Sequence, residues 1–378
     1  MDPGERDALL QLTLVSGFSP VATRRAMEAM GSAQVVLASD PRDLAAAAQI
    51  TPSRAEKVRR ALDGLANGEK LAQEKELIEE HQVTLVALGD SCYPPLLRHI
   101  GDPPPLLYVR GQLREEDAVS LAVVGSRRCT HYGRAQADRL SSLCVAAGLC
   151  IISGGAFGID AAAHRAALRA GGRTIAVIGS GHAKPYPEQH VALFEEITAS
   201  GAIVSELPMT TPPEGKNFPA RNRIISGLAL GVLVVEAATR SGALITARLA
   251  AEDHGREVMA LPGRIDSTTS EGCHKIIREG WAMLVTNLSD ILDSLGETGA
   301  LLKAGGNYEE PEGEAKLLDR NLTNSQRRVI EALQQPCSLD ELAVRSGLSM
   351  PMVQSDLTVL QIRGLIHQSG GMVARARS

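Results

Sequence analysis

The stretch FPARNRIISGLALGVLVVEAATRSGALITARLAAEDHGREVMALPG, Phe218 to Gly263, decides the fold. Arg221 and Arg223 flank Asn222 just ahead of an apolar run. That run reads as a short helix and then a buried strand, Val232 to Val235, which Glu236 ends. Ser241-Gly242-Ala243 opens a further helix, and Glu257–Leu261 reads as the next strand. Cations and free backbone N–H groups thus gather at one edge of a sheet, and both attract phosphate.

The same alternation extends upstream and downstream. Apolar runs recur at Val83–Leu88, Leu121–Val124, Cys150–Ile152, Thr174–Ile178, Ala202–Val204 and Met283–Val285. Helix-period stretches such as Gly133–Ala147, Ala161–Ala170 and Glu188–Ala199 separate them. Spacings of roughly 20–30 residues suit repeated βαβ units. Short, continuously apolar strands with helical crossovers imply an α/β fold whose parallel sheet is covered on both faces. Ligands then bind at the carboxyl ends of the strands.

Flanking segments differ in character. Residues 1–66 read as a domain of short Ala/Leu-rich helices, like a sterile-alpha-motif (SAM) or helix-hairpin-helix bundle, with Asp40 and Thr51 placed to cap helices that begin at Pro41 and Pro52. The α/β part is expected over residues 80–295. Gly, Glu and Pro then cluster over residues 296–318, an acidic linker by composition. In residues 319–378, Thr323 with Gln326 and Ser338 with Glu341 have capping-box spacing. Three helices and a two-stranded wing around Gly370-Gly371 make a winged-helix pattern.

At 378 residues the chain is long enough for two or three domains. Aromatics make up 3% of it, so its cores are aliphatic and Ala-rich. Six cysteines without a C-x-x-C pair suggest neither a metal site nor a disulfide framework, and a reducing, cytoplasmic setting. No secretory signal and no membrane-length apolar run is visible. A net charge of −5 argues against a protein coated in nucleic acid, while leaving room for a local basic groove.

Four strand-end loops hold the chemistry. In Val123–Ala135, Gly125 permits a tight turn, Ser126 offers a hydroxyl, and Arg127, Arg128 and Arg134 add charge with no acid between them. In the second, Ser153-Gly154-Gly155 lets backbone N–H groups approach a phosphate. Asp160 and His164, four apart on the next helix, read either as an acid/base pair or as a helix cap with a packed histidine. Lys184 lies beside Tyr186 in a Pro-stiffened loop, as a ligand cation or as plain surface. The fourth loop brings Lys216, Phe218, Arg221 and Arg223; Phe218 is a base-stacking platform or a core plug.

VVGSR, SGGAFGID-x3-H, GAIVSELP, FPARNRIISGL, VVEA-x3-SGALITA, GREVMALPG and SEGCHKIIREGWA, in that order, closely resemble the signature of the DNA-processing protein A (DprA/Smf) family. The resemblance covers about residues 85 to 290 and departs at His182-Ala183, at Cys273-His274 and at Phe157, a site that often holds a basic or polar residue in the family. It implies an extended Rossmann-like sheet, a homodimer and no cofactor. It also implies single-stranded DNA as ligand, the RecA recombinase as partner, and a role in natural transformation and recombination. Gly125, Ser126, Arg127, Ser153 and Gly154 would hold phosphates, Arg221, Asn222 and Arg223 would shape a positive pocket beside Phe218, and Lys184 carries over more loosely. Duplex DNA stays open as a second ligand. The competing reading is a phosphoribohydrolase-like nucleotide enzyme, although its P-G-G-x-G-T-x-x-E segment is missing; Glu206 and Glu236, which end strands, read either as its acid and base or as braces for Arg221 or Arg223.

Residues 319–378 hold seven arginines against five acids, and most of those arginines lie off the expected recognition helix. A main DNA reader needs more on that helix. Deleting residues 297–378 should therefore cost less than about 1.4 kcal/mol of single-strand affinity, a factor of ten, in a titration. Abolished binding by a folded truncation would move the site off the central sheet.

Overall fold

The computed structural model describes residues 2–66, 68–305, 322–333, 335, 337–362, 365–369 and 372–375. The chain forms two compact units, divided after residue 306.

In the first unit, nine strands form one sheet. They are β1 (Val83–Ala87), β2 (Leu106–Gly111), β3 (Ser120–Val124), β4 (Cys150–Ser153), β5 (Thr174–Val177), β6 (Ala202–Ser205), β7 (Gly231–Val234), β8 (Glu257–Ala260) and β9 (Met283–Leu284). Their order is β1-β2-β6-β5-β4-β3-β7-β8-β9. Pairings from β6 through β3 to β9 are parallel, while β1 and β2 join the edge antiparallel. Every residue of β3 to β7 is buried, as two helical layers require.

Strand β2 has no counterpart among the sequence runs. Its apolar core, LLYV, is short and follows three prolines, so it looks like loop. It becomes a strand because β6 offers an unpaired edge, with Val109 opposite Val204. Helix Glu69–Glu80 has no counterpart either; it carries mostly Glu and Lys and buries Glu74, whose carboxylate accepts from Met209 N at 2.8 Å.

From β3 the chain steps outward through β4, β5 and β6, then returns by helix Asn217–Leu228 to β7 on the other side of β3. This reversal is a topological switch point, where the loops after β3 and β7 diverge and leave a crevice.

Helices Pro3–Leu14, Pro20–Met30, Ala33–Ala38, Pro41–Ala48 and Pro52–Ala66 form a bundle against one face of β1 and β2. Asp40 caps its helix by accepting from Arg42 N and Asp43 N. The apolar core of these helices, including Leu9, Leu12, Leu44 and Leu62, runs on into Val83, Leu106 and Tyr108. At the other end, composition places the start of an acidic linker at residue 296, but Gly296–Gly305 form a helix against Leu288–Ser294; residues 306–318 lie outside those described. No helix among the described residues is long and apolar enough to cross a membrane.

The second unit has helices Asn324–Ala332, Leu339–Ser346 and Met350–Ile362 and strands β10 (Cys337–Ser338), β11 (Ile366–Ser369) and β12 (Met372–Arg375), ordered β10-β12-β11. Both capping boxes form. Val353, Leu357 and Leu360 pack inward, but Met352 is 48% exposed, one residue off that helical face. Arg320, Arg363 and Arg377 and the side chain of Arg375 lie outside the described residues.

Deleting residues 1–66 would bare the apolar side chains of β1 and β2. The remainder should melt more than about 8 °C below the full chain in a thermal scan. An unchanged melting temperature would mean the helices add nothing to the sheet.

Candidate nucleic-acid interface

Phe218, Arg221, Asn222 and Ile225 share one face of helix Asn217–Leu228 by their spacing of three, four and seven residues. That face closes the switch-point crevice into a cavity of about 620 Å³. Gly125 to Arg128 after β3, and Ala238 with Arg240 to Ala243 after β7, form its other walls.

Two of its loops interlock through backbone. Ser126 N donates to Glu236 O at 2.7 Å, and Ile159 N donates to Ser126 O at 3.2 Å. Gly158 has φ +79°, and a Cβ there would lie 2.2 Å from Ser126 O, so glycine is required.

Arg221 is buried beneath this floor. Its Nη1 donates to Gly154 O at 2.7 Å and also to Val177 O. Asp160 Oδ2 accepts from Gly154 N at 3.2 Å and Ala156 N at 3.3 Å. A Cβ on Gly154 would lie 2.7 Å from Asp160 Oδ2 and 2.8 Å from Arg221 Nη2. Burial pulls Arg221 down to about 10, with Asp160 opposing the shift, and burial pushes the Asp160 carboxyl up, opposed by Arg221. The two charges hold the turn rather than facing solvent. Ser153 is internal as well, its hydroxyl donating to Val123 O at 2.6 Å.

Arg223, on the opposite side of the helix, leaves the cavity. Its guanidinium pairs with Asp102 at 2.8 Å and Glu206 at 2.5 Å. Glu236 pairs with no arginine among the described residues; it accepts from Thr130 N at 2.8 Å and Thr130 Oγ1 at 2.5 Å. His164 pairs with Thr174 Oγ1 at 2.7 Å, and burial holds its ring down at about 3, so it is neutral and apart from Asp160. These engagements leave Glu206, Glu236 and His164 outside the cavity lining, which is where an acid–base enzyme would need them.

Arg127, Arg128 and Arg240 remain exposed on the rim and make no ion pair with a described residue. Asp160 is the one acid among the lining residues. The Arg127 guanidinium sits 5.0 Å from the Phe218 ring centroid, and Tyr186 packs against that ring at 5.7 Å. Phe218 is therefore a half-buried platform and not a core plug. Asn222 lines the cavity and donates to Gly242 O at 3.4 Å. Lys184 is exposed but does not line the cavity, and Lys216 pairs with Glu214. Sequence reasoning missed Arg240; its signal was a lone cation two residues before a helix start. His182, at the first departure from the family pattern, is buried and ties its loop to Tyr108 O of β2 at 2.9 Å.

These features define a class: Rossmann-like proteins with a cationic, aromatic-walled crevice at the switch point. Comparison with known proteins narrows it. A family model described as DNA recombination-mediator protein A matches residues 84–296, and one described as DprA winged helix domain matches residues 313–372. Protein Smf of Synechocystis is 37% identical over 328 residues, 79% of this chain and 82% of that one. DNA processing protein DprA of Streptococcus pneumoniae is 46% identical over 203 residues, 54% and 71% of the two chains. The solved structure of the Streptococcus pneumoniae protein aligns with a TM-score of 0.66 at 35% identity, covering 76% of this chain and 97% of that one. The structure of DNA processing protein A from Helicobacter pylori, described for its single-stranded DNA binding mode, gives 0.51 at 28% identity, covering 58% and 97%. The chain belongs to the DNA recombination-mediator protein A family.

Arg221→Ala would strand the Asp160 carboxylate in a buried site, at a cost of about 3–5 kcal/mol. Arg127→Ala, on the surface, should stay within about 0.5 kcal/mol of the parent. Urea denaturation of both variants checks this. Equal stabilities would return Arg221 to the ligand-facing cations.

Proposed function

We propose that this protein binds single-stranded DNA across the switch-point cavity and passes it to a RecA-type recombinase, in the cytoplasm, during DNA uptake and recombination. The observation that carries the reading is the pairing of Arg127, Arg128 and Arg240, which no described carboxylate neutralises, with the Phe218–Tyr186 platform. Exposed arginines without a carboxylate partner suit a phosphate backbone, and an aromatic face takes any base. The Helicobacter pylori relative supports single-stranded DNA as the ligand. The recombinase step rests on the family's description as a recombination mediator.

Within this reading the ligand contacts divide into two tiers. Arg127 with the Ser126 hydroxyl would meet phosphates, on the turn that Gly125 permits, and Phe218 would meet a base. Arg221, Ser153 and Gly154 would act from below by holding the loops in place, with Arg223 fastening the helix to Glu206. A base stacking on Phe218 would take the place of the Arg127 guanidinium and release it towards a phosphate. A homodimer belongs to the same reading: edge strand β9 leaves Met283 and Leu284 about half exposed beside an unpaired backbone.

The test separates charge from stacking. Arg127→Ala should flatten the slope of log K against log salt by about 0.7, the share of one phosphate. Phe218→Ala should cost about 1–3 kcal/mol with the slope unchanged. Unchanged affinity in both variants would place the DNA elsewhere.

A further inference from the structure

Helices His131–Ala146 and Ile159–Arg169 enclose a second cleft, of about 480 Å³, on the far side of the loop after β4. We propose that it holds a further stretch of the same single strand, reached over Phe157. This inference rests on the single-strand reading above.

The floor of the cleft is Ala135, Ala161 and Ala162, whose small side chains leave the space open. Its walls bear Arg134, Arg165 and Arg169 against one carboxylate, Asp138. Asp138 is already paired with Arg169. Arg134 and Arg165 are exposed and make no ion pair with a described residue, so two cations face the cleft without a counter-charge. Water and salt alone would accept that arrangement; an aromatic ring beside it needs another explanation.

Phe157 supplies that ring and is 38% exposed. It meets His190 edge-on at 4.8 Å, and His190 Nδ1 lies 2.9 Å from Gly155 O. The ring is thus mounted on a buried support and held at the surface. Phe157 lines this cleft, and it also lines a small hollow shared with Arg127, Tyr186, Phe218 and Arg221. Phe157 thus joins the cleft to that hollow, and the hollow shares Arg127, Phe218 and Arg221 with the switch-point cavity. Stacking faces alternating with unpaired cations are what a flexible single strand engages along its length. A duplex, with its bases enclosed, cannot use Phe157 in this way.

The test uses the full chain with fluorescein-labelled oligothymidylates of about 6 and about 20 nucleotides, lengths on either side of a single-fold site. The variants are Phe157→Ala and the pair Arg134→Ala with Arg165→Ala, each checked by its melting curve. With the short oligomer, both variants should bind within about twofold of the parent, since the switch-point cavity is intact. With the long one, each should bind about tenfold more weakly, and the double variant should flatten the salt slope by about 1.4. Unchanged long-oligomer affinity in both variants would overturn the second cleft. Equal weakening at both lengths would overturn it too, because the effect would then come from the first cavity. If the unaltered chain bound neither oligomer, the single-strand reading itself would fail, an outcome distinct from the other two.

Discussion

The buried guanidinium of Arg221 is the interaction on which the interface depends. It lies under the turn after β4, bonded to the carbonyls of Gly154 and Val177, while Asp160 holds the N–H groups of Gly154 and Ala156. Strands β4 and β5 and the return helix Asn217–Leu228 are thereby joined at one point. A cation buried this deeply is tolerable because a carboxylate and backbone oxygens surround it. With that point fixed, Phe218 and Asn222, on the same helical face, are held at the cavity wall. Ser126 and Ile159 then lock the neighbouring loop to it.

Charge placement explains how an acidic chain keeps a basic cavity. The net charge is −5, yet the acids near the switch point are consumed inside the fold: Glu206 by Arg223, Glu236 by Thr130, Asp160 by backbone amides. What remains on the rim is Arg127, Arg128 and Arg240. Field strength in such a crevice follows these local groups, since more distant charges are screened within about 10 Å at ordinary salt.

Much of the fold was legible in the sequence because the parallel strands are short, fully buried apolar runs with glycine-rich turns behind them. The winged helix was legible from its capping boxes. Strand β2 and helix Glu69–Glu80 were not, because each owes its conformation to a partner surface: the free edge of β6 for one, the sheet's flank for the other. In the site, Arg127 and Phe218 could be read from their loops. Burial separated the remaining arginines. Arg221 and Arg223 are two residues apart and look alike in sequence, yet they point to opposite sides of one helix and meet different partners. Arg240 reaches the cavity and Tyr186 the Phe218 ring from distant loops, and spacing along the chain holds no record of that approach.

Photo-crosslinking tests the central claim most directly. A single-stranded oligonucleotide bearing 5-iododeoxyuridine is irradiated on the full chain, and the attached peptides are mapped. The account expects adducts at Phe218 or Tyr186, with Arg127→Ala lowering their yield. Adducts confined to the winged-helix unit, with none on the loops after β3, β5 and β6, would contradict it.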